Sequence, residues 1–88
     1  MSWNETIATV MKGNRVTIPK EFRERFNLEP PRLLTLQLGG VEKVWTSIEF
    51  YSRLRRGGQV TIPVELFRAL QLRLGQAVFI HVYVDWKY

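Results

Sequence analysis

The groups in this chain best suited to chemistry are its arginines. Residues 53–56 read Arg53-Leu54-Arg55-Arg56 directly before Gly57-Gly58, and Lys12 and Arg15 flank a Gly13-Asn14 pair. Cationic side chains gathered beside tight turns suit phosphate oxygens, Lys as a point charge and Arg as a planar fork of donors. The overall balance points the same way. Thirteen Lys and Arg against eight Asp and Glu give a formal net charge of +5 over 88 residues, which favours an anionic partner. Other chemistries lack their parts. There is no Cys, hence no disulfide framework and no thiolate metal site. His81 is the only histidine and lies on an alternating stretch in register with Gln37. Without an acidic or Cys partner it reads as a hydrogen-bonded surface or rim residue. No Ser-His-Asp set, phosphate-cradling P-loop or carboxylate pair can be assembled. The expectation is therefore no enzyme, no cofactor and no metal.

The elements that must position these cations are written twice. Arg15-Val-Thr-Ile-Pro19 returns as Gln59-Val-Thr-Ile-Pro63, 44 residues later, and the match extends without a gap from Thr9–Leu38 onto Arg53–Val82. Gly13/Gly57, Glu21/Glu65 and Leu28/Leu72 are identical pairs, and Val10/Leu54, Phe22/Leu66, Phe26/Leu70 and Leu36/Ile80 keep apolar character. Such self-similarity is the mark of an internal duplication.

In each copy a strand runs into Gly-Asn or Gly-Gly, whose tolerance of positive φ suits a two-residue hairpin turn. The next strand alternates, with Val16 and Ile18 on one face and Thr17 on the other, as do Val60, Ile62 and Thr61. Pro19 and Pro63 end that ladder and open a short helix, "PKEFRERF" and "PVELFRAL", with one apolar stripe. Lys20, Arg23 and Glu24 are expected to face solvent there, and Arg68 in the second copy. A third strand places Leu34, Leu36 and Leu38, or Val78, Ile80, Val82 and Val84, on one face. A further strand, from roughly Glu42 to Phe50, leads to the second copy and can merge with that copy's first strand. The fold class expected is mainly β with two short helices, each repeat being β-β-α-β-β. One domain is expected, with repeat 1 over 5–48 and repeat 2 over 49–88. Each half is too small for a self-sufficient core, since chains of about 40 residues rarely fold unaided.

The start "MSWNETIATV" carries no basic-then-apolar signal segment, and no apolar run reaches membrane-spanning length. This reads as a cytoplasmic protein. Trp3, Trp45 and Trp86 are not related by the repeat and suit packing at barrel ends or an interface better than base stacking. Tyr51 and Tyr83 read as outward strand residues.

The stretch "GNRVTIPKEFRERFNL", and more loosely "GGQVTIPVELFRALQL", resembles the AbrB/SpoVT family of swapped-hairpin DNA-binding domains. The resemblance runs from about Thr6 to Val84. It implies a swapped-hairpin barrel in which two interlocking copies, normally from two chains, are joined in one. It also implies a double-stranded-DNA-binding transcriptional regulator or nucleoid-associated protein, with contacts from hairpins and exposed helix faces. Carried over by position, Arg15 matches the basic residue before the V-x-I-P strand, Arg23 a basic helix position, and Lys12 the hairpin arm. In the second copy the places of Arg15 and Arg23 are taken by Gln59 and Phe67. Basic character there shifts to Arg53, Arg55, Arg56 and Arg68, so the two half-surfaces differ and a perfect palindrome is a poor match. Arg56 shares the side of Leu54 if the strand continues to it. The D-x-x-x-R motif of tandem cell-division-cluster relatives is absent.

Two other functions fit parts of the pattern. An antitoxin would use the same DNA-binding unit, but only "DWKY" follows the last strand to grip a toxin. A protein-interaction barrel without nucleic acid would explain the loss of helix charge in the second copy. One barrel per chain, a monomeric pseudo-dimer, is expected, with a homodimer as the alternative.

Overall fold

A computed structural model describes residues 2–39 and 45–84. The elements are β1 (Ser2–Met11), β2 (Arg15–Thr17), α1 (Lys20–Arg25), β3 (Leu33–Gly39), β4 (Trp45–Arg53), β5 (Gln59–Thr61), α2 (Val64–Ala69) and β6 (Ala77–Val84). A single turn of 3-10 helix (Arg56–Gly58) joins β4 to β5. The fold is mainly β with two short helices, and its six antiparallel strands form a nearly closed barrel in the order β4-β3-β6-β1-β2-β5. Each repeat is β-β-α-β, one strand fewer than the β-β-α-β-β expected. The strand leading out of the first copy and the first strand of the second are one continuous element, β4, which crosses the anticipated 48/49 boundary. The expected beginning of that strand at Glu42 lies outside the described residues, as do Trp86 and the "DWKY" tail.

The strand registers have two-fold symmetry. β2 and β5 pair with Val16 opposite Val60, which are the same position of the repeat. β3 and β6 pair with Gln37 opposite His81, again the same position. A pseudo-dyad therefore passes through both pairs. About it, β1 pairs with β6 through Thr6↔Ile80, and β4 pairs with β3 through the corresponding Phe50↔Leu36. The first strand of each copy is thus completed by the last strand of the other. Inward residues of all six strands make one core, in which Val10, Val16, Ile18, Leu36, Leu38, Leu54, Val60, Ile62, Ile80 and Val82 are almost wholly buried.

Local chemistry explains the joins. The hairpin loops contain three residues rather than two: Met11↔Arg15 flank Lys12-Gly13-Asn14, and Arg55↔Gln59 flank Arg56-Gly57-Gly58. The last two residues of each loop have positive φ, at 84° and 58° in the first and 81° and 85° in the second. Each loop is fastened to the other copy, Ile18 N–H donating to the Gly58 carbonyl at 2.8 Å and Ile62 N–H to the Asn14 carbonyl at 2.6 Å. The helices start one residue after their prolines. Pro19 and Pro63 stay extended, at ψ 145° and 134°, while their carbonyls accept from Arg23 N–H and Phe67 N–H. At the other end the chain turns through left-handed Asn27 and Gln71 and buries the repeated Leu28 and Leu72 against the core.

Arg23 departs from its expected solvent position. It is half-buried, because its Nε donates to the Ile18 carbonyl at 3.0 Å and its guanidinium lies against Gly58. Gly58 is buried at φ +85°, and a Cβ there would sit 2.5 Å from Arg23 Nε and 2.8 Å from the Ile18 oxygen. The corresponding position in the first copy accepts Asn14, where Phe67 replaces Arg23 on the facing helix.

The barrel has one seam. β1 and β2 pair through three residues, but β4 ends at Arg53, and only a single bridge beyond its end, Arg55↔Gln59, reaches β5. Where they part, the buried Ser52 Oγ accepts the Thr61 N–H at 2.8 Å. Its image in the closed half is Ala8, which has no such task.

Two substitutions test these joins by urea unfolding. Ser52→Ala removes the acceptor of Thr61 N–H and should cost about 1 kcal/mol. Gly58→Ala combines a left-handed backbone, costing about 1–2 kcal/mol, with contact against a backbone oxygen, and should destabilise more than Gly57→Ala. The Cβ added at Gly57 would meet nothing within 4 Å.

Candidate nucleic-acid interface

The two hairpin loops and the dyad between them bring most of the anticipated cations onto one region. Lys12 and Arg56 occupy the same position of the repeat, the first residue of each loop, and both are exposed. Arg56 is a loop residue rather than a strand residue, so it does not share the inward side of Leu54, which is fully buried. The same offset relates Arg15 to Gln59, and these two meet across the pseudo-dyad: Arg15 Nη1 donates to Gln59 Oε1 at 2.9 Å. Arg15 Nε donates to the Lys12 carbonyl at 3.0 Å, which fixes the side chain against its own loop. The remaining guanidinium donors lie outside these two bonds.

This contact depends on the copies being different. A symmetric pair would place two arginines, both donors and both positive, on the axis. Gln59 supplies an acceptor and removes one charge. A covalently joined pair can hold such a substitution in one half alone, whereas two identical chains would carry it twice.

Arg53, the last residue of β4, and Arg55, just beyond it, are exposed, as is Tyr51 before them. They line a groove of about 470 Å³ along the barrel seam, whose other wall includes Asn14, Thr61, Pro63 and Val64. Arg53 Nη1 donates to the carbonyl of Pro31, just before β3, at 3.1 Å, which ties the side chain toward β3. Arg23 adjoins the second loop through Gly58, with its Nε engaged by Ile18. Arg68 is exposed in the last turn of α2. Lys12, Arg15, Gln59, Arg53, Arg55, Arg56 and Arg23 therefore belong to one end of the barrel, while no polar contact joins Arg68 to the others.

The opposite end of the dyad carries residues the repeat did not single out. His81 has an acidic neighbour after all, its Nε2 lying 3.5 Å from Glu5 Oε1. The partner was invisible in sequence because it comes from β1, 76 positions away, where Glu5 pairs directly with His81. Trp3, on the same strand, lies 5.1 Å from Tyr83, ring centre to ring centre. Alternation along β1, β4 and β6 gives the outward direction of Trp3, Tyr51 and Tyr83, but only the register brings them to neighbouring places.

Among the described residues no helix is long and apolar enough to cross a membrane. No family model matches the chain, and no curated protein does. Among solved structures, the solution structure of PHS018 from Pyrococcus horikoshii is similar at a TM-score of 0.75 and 19% identity, covering 96% of this chain and 92% of that one. This likeness supports the barrel as a fold.

The cross-dyad bond makes a prediction. Gln59→Arg would restore identity between the copies and place two guanidiniums together. Stability should fall by about 1 kcal/mol through the lost hydrogen bond. The loss should shrink as salt screens the added repulsion. Urea denaturation at low and high NaCl reads both effects, and a loss indifferent to salt would show that charge is not its cause.

Proposed function

We propose that this protein binds double-stranded DNA across its hairpin end, as a transcriptional regulator or a nucleoid-associated protein. The observation that carries the reading is the placing of Lys12 and Arg56. They are exposed, positively charged and related by the pseudo-dyad, so two phosphate-binding tips project from one surface. Arg15 lies between them, held in place before any ligand arrives. Cations so placed meet phosphates of the two DNA strands and release condensed counterions, the dominant sequence-independent source of affinity. Arginine adds the capacity to fork onto a guanine edge or enter a narrow minor groove. The resemblance of "GNRVTIPKEFRERFNL" to AbrB/SpoVT domains supports the same assignment. The net charge of +5 supports association with a polyanion in general.

Unlike halves imply an unlike footprint. The second half offers Arg53, Arg55 and Arg56, whereas the first offers Lys12 and Arg15, with Gln59 neutral at the image of Arg15. A target with two unequal half-sites fits this surface better than a perfect palindrome. One chain suffices for the complete surface, since both tips belong to the same barrel.

Fluorescence anisotropy with a labelled duplex over a salt series tests the proposal. Lys12→Ala and Arg56→Ala should each reduce the log–log salt slope by about 0.9 if each side chain holds one phosphate. Both residues are exposed, so the variants should fold normally. Absence of duplex binding at low salt by folded wild-type protein would overturn the proposal.

A further inference from the structure

The outer face of the sheet, away from the hairpin end, carries aromatic residues in a single transverse row. Tyr51 on β4 pairs with Thr35 on β3, Thr35 pairs with Tyr83 on β6, and Tyr83 pairs with Trp3 on β1. All four alternate outward from core positions. Tyr51 is 68% exposed and Trp3 37% exposed, and with Thr35, Tyr83 and Glu49 they line a cleft of about 360 Å³. One strand spacing is about 4.8 Å, so Tyr51 stands about 10 Å from Tyr83, with the short Thr35 between them. That leaves a gap floored by Thr35, bounded by an aromatic side chain at each end.

Charge is distributed unevenly on either side of this row. Arg53, at the end of β4, and Arg55, two residues further on, follow Tyr51 as exposed cations about 7 Å apart in extended chain, and both line the seam groove. On the other side lies a second transverse row, Glu49 on β4, Gln37 on β3, His81 on β6 and Glu5 on β1. A ligand fitting this face is anionic at the arginine end, offers flat rings to Tyr51 and Trp3, and keeps its charge away from Glu49 and Glu5. A duplex has its rings stacked inside and cannot offer them.

We infer that this face, from the seam groove across Tyr51 to Trp3, binds single-stranded nucleic acid. Consecutive phosphates lie against Arg55 and Arg53, one base stacks on Tyr51, and a following base reaches the Trp3–Tyr83 pair. Pro63 and Val64 form the apolar wall of the groove against which a sugar or base edge can rest. Aromatic platforms beside a cationic track are the general means of holding an unpaired strand, because every base has a π-face. The Glu49–Glu5 row sets the limit of the site, so the phosphate chain enters from the arginine side and turns away beyond the aromatic row. This inference does not rest on duplex binding, which centres on the loop residues Lys12 and Arg56 and shares with this face only Arg53 and Arg55.

The test uses the full chain and a labelled oligothymidylate, which forms no duplex, in an anisotropy titration. Tyr51→Ala should weaken binding about tenfold or more, the effect usual for losing one stacked base. Tyr51→Phe should retain it, and Trp3→Ala should weaken it in turn. Arg53→Ala should flatten the salt dependence. Binding of a labelled duplex should be unchanged in Tyr51→Ala, so failure here is distinguishable from failure of the duplex proposal. An abasic phosphodiester chain of equal length should bind wild type no better than it binds Tyr51→Ala. The inference is overturned if oligothymidylate does not bind, or if Tyr51→Ala and Trp3→Ala bind it as wild type does. Equal loss of duplex and single strand in Tyr51→Ala would overturn it as well, by assigning the face to duplex. So would sedimentation showing a wild-type dimer that Tyr51→Ala dissociates, because a second copy would then cover the row.

Discussion

The structure depends on one constraint: neither copy can satisfy the backbone of its own first and last strands. β1 finds its ladder partner in β6 and β4 finds its partner in β3, while the short β2 and β5 pair with each other on the dyad. Backbone N–H and C=O groups buried in a core must be paired, so each copy is completed only by the other. The loops repeat the logic on a smaller scale, each hairpin carbonyl accepting from the strand end of the opposite copy. The apolar residues follow, since Val16, Val60, Leu36 and Ile80 reach one core only when the strands are exchanged. Repetition of Val-Thr-Ile-Pro is the consequence. Both copies meet the same partners in the same geometry, and both need an inward strand that ends in a proline-led helix.

Joining the copies in one chain releases each position from the obligation to match its image. Arg15 and Gln59 use that freedom on the axis, exchanging a like-charged pair for a donor and an acceptor. Ala8 and Ser52 use it in the barrel wall, a methyl where the strands are zipped and a hydroxyl where they part. Arg23 and Phe67 use it on the helices, one donating to the Ile18 carbonyl with its guanidinium against Gly58 and one packing against the core. These departures are coupled. Gly58 lies beneath Arg23 and has no room for a Cβ, whereas the other copy has Asn14 at the place of Gly58 and Phe67 at the place of Arg23. The barrel keeps its two-fold register while its surface loses two-fold chemistry.

That loss gives the molecule two dissimilar faces. The hairpin end gathers Lys12, Arg15, Arg55 and Arg56 around the dyad. The sheet face places Tyr51, Tyr83 and Trp3 across four strands, between arginines on one side and carboxylates on the other. The seam connects them, because the parting of β4 from β5 opens the groove in which Arg53 and Arg55 stand. Cations and rings are thereby separated but contiguous, an arrangement suited to a partner whose charge and aromatic surface lie on different parts of one polymer.

Much of this was fixed by short-range pattern. The duplication, the alternation that buries Val16, Ile18, Val78, Ile80, Val82 and Val84, the two helices after Pro19 and Pro63, and the positive-φ loops follow from residue types and spacing, because period and steric preference act locally. The cations around the loops were legible for the same reason. Strand count per repeat was not, since whether two apolar stretches are one strand or two depends on the partner they lie against; β3 draws β4 out as a single element. The neighbour of His81, the contact of Arg15 with Gln59, the partial burial of Arg23 and the alignment of Tyr51, Tyr83 and Trp3 were decided by tertiary structure alone. Each joins residues far apart in the chain, and cross-strand register, which sets such meetings, is a property of the closed barrel rather than of any one segment.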